Sequence, residues 1–382
     1  MAGCRKRRSP GAVRVLSNAG WFDARRLGGR ATDVRRIAVT DFLRTLGNAV
    51  LARPFDVVVI NNEARQLLAF CLLKLLVPWA QWQIVSVDLV VQRPRNWRQR
   101  IRLRVARLLF RQVELLLFFF KDTRELEKVY GIDRRKIRYI PFKINSYDRV
   151  LSHPVSDEGF ILSCGQSKRD YATLCRAMEG LPYTAYILAP QPQAARKHGT
   201  TFDFQSFPSN VRWVTDDGSD ASWIDWIARS RCLVLPILPD TLAASGISTY
   251  LLAMALGKCV VITDSPATTR LVDSGEAVIV PPANPDALRT ALAKVMEDFE
   301  YRERVAAAGH AYAIELKDEN RLAADITAEV QRMLAGCRDL IAESHTANSG
   351  VRQELTTPAA SHAEPSEAEE LTSGRSVANH HF

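Results

Sequence analysis

Phe160-Ile161-Leu162-Ser163-Cys164-Gly165-Gln166-Ser167-Lys168-Arg169-Asp170-Tyr171-Ala172-Thr173-Leu174 runs from a short apolar stretch, through a glycine turn, into a helical pattern. Strand, tight turn and helix in that order form the repeating unit of a parallel sheet, whose strands need helical crossovers. The same rhythm recurs downstream, with strands expected near 184–188, 211–214, 232–235, 260–263 and 277–280 and helices near 170–179, 221–229, 247–256, 267–273, 284–297 and 299–315. Upstream, strands are expected at 12–18, 56–60, 83–88, 115–119 and 137–140, with helices around 41–52, 63–77, 97–112 and 122–130. The proline-bearing stretch Pro141 to Pro154 between the two series reads as a linker.

A chain of 382 residues is long enough for two domains at roughly 100–200 residues each. The expected organisation is a basic tail at 1–11, a first α/β domain at 12–150, a second at 151–335, and a tail at 336–382. That tail, rich in Ser, Thr, Glu and Ala from about Ala342, reads as disordered. An apolar fraction of 47% excludes collagen-like and wholly disordered classes. Two doubly wound sheets facing each other leave a cleft, and ligands of such sheets bind at the carboxyl ends of the strands.

Charge divides the chain unevenly. Residues 1–150 hold 31 basic and 12 acidic side chains, whereas the remainder holds 20 and 30. A strongly basic half brings something anionic to itself: a phosphate-rich ligand, a membrane surface or nucleic acid. Nucleic acid is not expected, because no reader motif is present and few aromatic residues interleave with the arginines. No segment reaches the roughly 18 apolar residues a bilayer span requires, and MAGCRKRRSPG lacks the apolar core of a secretory signal. The expected location is cytoplasmic, peripheral on the inner face of the cell membrane. The seven scattered cysteines, none in a CxxC, read as reduced packing residues, with no metal site.

Two loops have the composition of anion sites. Gly165-Gln166-Ser167-Lys168-Arg169 can bring backbone N–H groups and two cations to one phosphate, or can be the solvated start of a helix. Ser245-Gly246-Ile247-Ser248-Thr249 opens a second helix, where small residues allow close backbone approach and the dipole favours an anion. Ser and Thr are also ordinary helix caps, so this loop gains meaning from the first.

These loops, with Asn210-Val211-Arg212-Trp213-Val214, Gly246 through Gly257-Lys258-Cys259-Val260-Val261-Ile262-Thr263-Asp264, and Val280-Pro281-Pro282-Ala283-Asn284-Pro285-Asp286-Ala287-Leu288, resemble the nucleotide-sugar domain of GT-B glycosyltransferases. The likeness covers about 158–315 and is nearest to the family 4 enzymes (glycosyl transferases group 1). It implies two Rossmann-like domains and a hexosyltransferase-type enzyme. Such an enzyme moves a sugar from a nucleotide donor to a glycan or lipid-linked acceptor, with retention, no metal and no cofactor. The donor diphosphate would rest on Gly165, Gln166, Lys168 and Arg169 and on Ser245, Gly246, Ile247, Ser248 and Thr249, Arg169 also serving in catalysis.

The chain departs from that pattern. The usual pair of glutamates falls on Ala244 and Leu252, with Asp240 as a nearby acid that could replace the first or be a turn residue. No histidine occurs in 1–150, and where several relatives have His-Asp this chain reads Val87-Asp88. Asp88 is the candidate to orient the acceptor or take its proton; alternatively it ends a strand. These departures keep open a non-catalytic relative that binds a nucleotide-sugar or a partner protein. Asn18 and Gly20, after the first strand, are expected on the acceptor side. Residues 93–111 hold eight arginines and no acid. Arg100, Arg104, Arg107 and Arg111 form one helical stripe beside an apolar stripe of Trp97, Ile101, Val105 and Leu108. The apolar stripe is expected to pack on the sheet and the arginines to meet an anionic membrane surface.

Overall fold

The computed structural model describes residues 13–19, 22, 35–36, 56–77, 82–165, 167–188, 199–200, 207–215 and 217–354, for 35–36 and 337–354 the backbone alone. The strands are β1 Val15–Ser17, β2 Arg35–Arg36, β3 Val57–Asn61, β4 Gln83–Val87, β5 Leu115–Phe118, β6 Ile137–Tyr139, β7 Ile161–Cys164, β8 Ala185–Leu188, β9 Val211–Val214, β10 Cys232–Leu235, β11 Cys259–Thr263 and β12 Val278–Val280. The helices are α1 Ala64–Leu76, α2 Trp97–Leu109, α3 Arg124–Tyr130, α4 Tyr147–Ser152, α5 Tyr171–Met178, α6 Asp220–Arg229, α7 Ile247–Ala255, α8 Pro285–Glu297, α9 Phe299–Glu315 and α10 Glu319–Glu354. Residues 1–335 form one compact unit and 336–382 another.

Every described strand pair is parallel. The first sheet has the order β2-β1-β3-β4-β5-β6 and the second β12-β11-β10-β7-β8-β9. Read from its first strand, the second is the 3-2-1-4-5-6 order of a doubly wound sheet, and its direction reverses between β7 and β10. The first sheet reverses between β1 and β3. At such points neighbouring crossovers leave on opposite faces, opening a crevice beyond the strand ends. The central strands are fully buried and almost wholly apolar, with Ser163 of β7 and Thr263 of β11 as the polar exceptions, as expected of sheets covered on both faces.

Differences from the sequence reading have local causes. The stretch 267–273 is a series of turns because Thr268 Oγ1 bonds the Asp264 carboxylate (3.0 Å) and Arg270 is left-handed, φ 64°. The linker contains α4, and α10 carries helical backbone past Ala342 to Glu354, where composition suggested irregular chain; Ala, Glu, Gln and Arg in this stretch are good helix formers. The expected helix at 41–52, the tail 1–11, Gly20, Gln166 and residues beyond 354 lie outside the described residues. The five cysteines whose side chains are described are buried, and burial pushes the thiols of Cys71, Cys175 and Cys259 up to about 12. They are inert packing groups.

Helix α2 is turned opposite to expectation. It buries Ala106 and Leu109, while Trp97, Ile101, Val105 and Leu108 are exposed. The small Ala106 lets this side approach the core, and Phe110 just beyond the helix adds a buried ring. Arg100, Arg104 and Arg111 are exposed; Arg107, although exposed, donates to the carbonyls of Val129 (2.8 Å) and Lys128 (3.3 Å) at the end of α3.

The start of α10 returns to the linker. The backbone N–H of Ile144 donates to the Lys317 carbonyl (2.9 Å), Arg321 donates to the carbonyls of Pro141 (3.1 Å) and Phe142, and Lys143 pairs with Glu319.

Candidate active site

The crevice of the second sheet is built on Arg169. Its backbone segment is pinned across the switch point: Arg169 bridges Ile237, Leu238 N–H donates to the Lys168 carbonyl (2.8 Å), and Asp170 N–H donates to the Pro236 carbonyl (2.9 Å). Asp170 caps α5 by accepting from the Thr173 N–H (3.1 Å). The Arg169 side chain is 2% exposed. Its Nε donates to the Cys164 carbonyl (3.0 Å) and its Nη1 to that of Ser167 (2.9 Å). Among the described residues no carboxylate pairs with it, and burial pushes its pKa down. A buried cation without a counter-charge is costly, and a bound anion relieves that cost.

Two left-handed glycines make room for this guanidinium. Gly165 has φ 110°, and a methyl there would stand 2.5 Å from Nη2; Gly246 has φ 96°, and its methyl would stand 3.5 Å from both Nη atoms. The guanidinium therefore lies between the turn after β7 and the start of α7. Ser245 Oγ ties the two loops by donating to the Ser167 carbonyl (2.8 Å). Gly246 has no side chain to cap α7, so the N–H groups of Ile247 and Ser248 at its first turn have no helical carbonyl to meet. Anion, dipole and guanidinium requirements thus coincide at one place. We expect Gly165→Ala to cost about 1–3 kcal/mol of stability through backbone strain and displacement of Arg169. Thermal melting measures this, and an unchanged midpoint would contradict the tight fit.

Lys168 is also left-handed, φ 55°. Its ammonium packs beside Gly199, and its pKa is lowered first by burial and then by the charge of Arg95 from the first domain. Asp240 is an exposed turn residue with φ 63° that lines neither cavity described below. It follows Pro239, and a short acid tolerates this conformation well.

A cavity of about 280 Å³ opens at the ends of β3, β4 and β5, lined by Asn61, Asn62, Asp88, Phe119, Phe142 and Asn145. Lys143 with Glu319 and Leu322 of α10 complete its wall. Asn62 and Asp88, at the ends of adjacent strands, are both left-handed, φ 53° and 51°. Such backbone persists where the surroundings hold it, often at functional sites. Burial pushes the Asp88 carboxyl up from 3.8 to about 6, a value suited to accepting a proton near neutral pH. Asn18 stands behind this site. Its side chain accepts from the Asn61 N–H (2.7 Å) and donates to the Asn61 carbonyl (3.0 Å), fixing the end of β3.

Asn145 also lines a cavity of about 50 Å³ that contains Ser248, Thr249 and Leu252 of α7 and Trp223 of α6. The linker therefore joins the Asp88 cavity to the α7 start. Leu252, at the second expected glutamate position, puts an apolar wall here. The Asn61-Asn62 pair and Asn145-Ser146 were not singled out in the sequence, although adjacent polar residues tolerant of left-handed backbone after a strand or linker are a signal for such turns. Among the described residues no group of three or more His, Cys, Asp or Glu side chains converges as a metal would need, and no helix is long and apolar enough to cross a membrane.

Residues 202–298 match the family described as Glycosyl transferases group 1. Among solved structures, HepE from Anabaena, in complex with UDP and glucose, has a TM-score of 0.57 at 14% identity, covering 76% of this chain and 80% of that one. Sucrose-phosphate synthase from Thermosynechococcus elongatus has a TM-score of 0.55 at 16% identity, covering 80% and 82%. A glycosyltransferase from Rickettsia africae ESF-5 has a TM-score of 0.59 at 12% identity, covering 85% and 99%. No curated protein matches the chain. Two parallel, doubly wound sheets give the chain the GT-B fold of these structures, and residues 202–298 are the part that matches the glycosyl transferases group 1 family. Gly246 to Asp264, part of the resemblance read from the sequence, lies within the matched residues, and Gly165 to Arg169 lies outside them.

Proposed function

We propose that this enzyme transfers a sugar from a nucleotide-sugar donor, with retention and without a metal, to a glycan or lipid-linked acceptor at the cytoplasmic face of a membrane. The observation that carries the donor site is the buried Arg169 guanidinium, held between two left-handed glycines and facing no carboxylate among the described residues. The donor diphosphate is its counter-charge, with the first N–H groups of α7 as further donors. HepE is described in complex with UDP-glucose, which favours a UDP-sugar. As the bond from the anomeric carbon to the diphosphate oxygen breaks, negative charge grows on that oxygen. Arg169 and the α7 dipole stabilise it more than the ground state. The acceptor oxygen forms the new bond to the anomeric carbon, and Asp88 orients the acceptor hydroxyl and takes its proton.

Transfer and hydrolysis assays with a panel of nucleotide sugars, UDP-glucose first, test the reading. Turnover of none by folded protein would overturn it. A second measurement probes how the donor is held. Ala244 and Leu252 cannot hydrogen-bond sugar hydroxyls, so free UDP should compete to within roughly tenfold of the full donor, a gap of about 1.4 kcal/mol. A donor bound several hundredfold more tightly than UDP would place sugar recognition on other residues.

A further inference from the structure

The outward stripe of α2 is the largest departure of the structure from the sequence reading. Trp97, Ile101, Val105 and Leu108 are 67%, 51%, 54% and 49% exposed. At 100° per residue they span an arc of about 80°. Arg104, Arg100 and Arg107 border one edge of that arc, and Arg98 and Arg102 border the other; all five are exposed. Arg98 lies over the Trp97 ring, 5.4 Å from its centre. No acid occurs from 93 to 111. Beside α2, the end of α1 adds exposed Leu72, Leu75 and Leu76.

Four large apolar side chains in water between two rows of cations describe a helix built for a boundary with an apolar side and an anionic side. A bilayer surface has both, its acyl chains lying beneath a layer of phosphates. A second copy fits poorly, because two-fold pairing would set arginine rows against arginine rows.

We propose that α2 is an interfacial helix that lies in the plane of an anionic bilayer. It inserts Trp97, Ile101, Val105 and Leu108 to the acyl boundary while the flanking arginines hold lipid phosphates. This deepens the membrane-facing part of the proposed function and differs from electrostatic adsorption, in which only the arginines would matter.

The test is flotation of the full chain with vesicles of three parts phosphatidylcholine to one part phosphatidylglycerol. Expected are binding by the wild type, weakening in high salt, and a blue shift of tryptophan emission that is lost in Trp97→Phe. The triple variant Ile101→Ser, Val105→Ser, Leu108→Ser should bind roughly tenfold or more weakly, with unchanged melting and donor turnover. Arg98→Gln with Arg102→Gln, and Arg100→Gln with Arg104→Gln, should each weaken binding and lower its salt dependence.

Wild-type flotation of the serine variant would overturn insertion, and equal binding to pure phosphatidylcholine would overturn the anionic requirement. A lipid-free dimer abolished by the serine substitutions would make the face a contact between copies instead. Free inorganic phosphate at millimolar concentration should not displace the protein from vesicles; displacement would assign the arginines to a soluble anion. Vesicle binding is read without turnover, so its loss leaves the donor site standing, and a failed donor assay leaves the helix proposal standing.

Discussion

Asp88→Asn is expected to lower turnover by about 10²–10⁴-fold, the range for a lost general base, and to remove the acidic limb of the pH–rate profile. With a carboxyl raised to about 6, wild-type activity should fall as pH drops below about 6, because the protonated acid cannot accept the acceptor's proton. Stability runs the other way. Well below pH 3.8 the carboxyl is neutral in both folded and unfolded chains. As pH rises from 3.8 to about 6 the unfolded chain ionises first, and stability falls by up to about 3 kcal/mol, two or so units at about 1.4 kcal/mol each. Asp88→Asn should therefore melt higher than wild type at pH 8 and alike at pH 3. Undiminished turnover, or an unchanged acidic limb, would remove Asp88 from the chemistry.

Arg169→Ala should weaken binding of UDP and of the full donor alike by roughly 10–150-fold, the equivalent of about 1.5–3 kcal/mol for a charge-assisted hydrogen bond. Arg169→Lys should not restore it. An ammonium cannot reach the Cys164 and Ser167 carbonyls and a phosphate with one planar fork. Because Arg169 also orders the loop, circular dichroism and ligand-free melting must accompany the titration. Lys168→Ala should do less, since its ammonium packs beside Gly199. Wild-type donor affinity in a folded Arg169→Ala protein would move the diphosphate elsewhere.

Strand positions were legible because buried parallel strands are unbroken apolar runs bounded by turns, as in Leu115–Phe118 and Cys232–Leu235. The Gly165 and Gly246 loops were legible because only glycine tolerates their backbone. The orientation of α2 was not. Both its faces contain apolar residues, and periodicity marks a stripe without saying which stripe meets the core. Ala106 decided that through close approach, a tertiary effect. The Asp88 cavity was likewise only partly readable, since its walls come from Asn61, Phe119, Asn145 and Leu322, residues brought together by topology. The turns at 267–273 went unseen because side-chain bonds to Asp264 compete with helix formation.

The return of α10 to the linker has a consequence during synthesis. Glu319 and Leu322 form part of the Asp88 cavity wall, so a nascent chain that has released its first 150 residues holds this cavity with one side open. At about 5–20 residues per second, the ribosome delivers the missing side some 10–35 s later. Until then Phe119 and Phe142, which share the cavity wall with Leu322, are open to chaperones. An amber truncation before residue 317 should accordingly give a protein that is captured by holdases rather than one that is merely inactive.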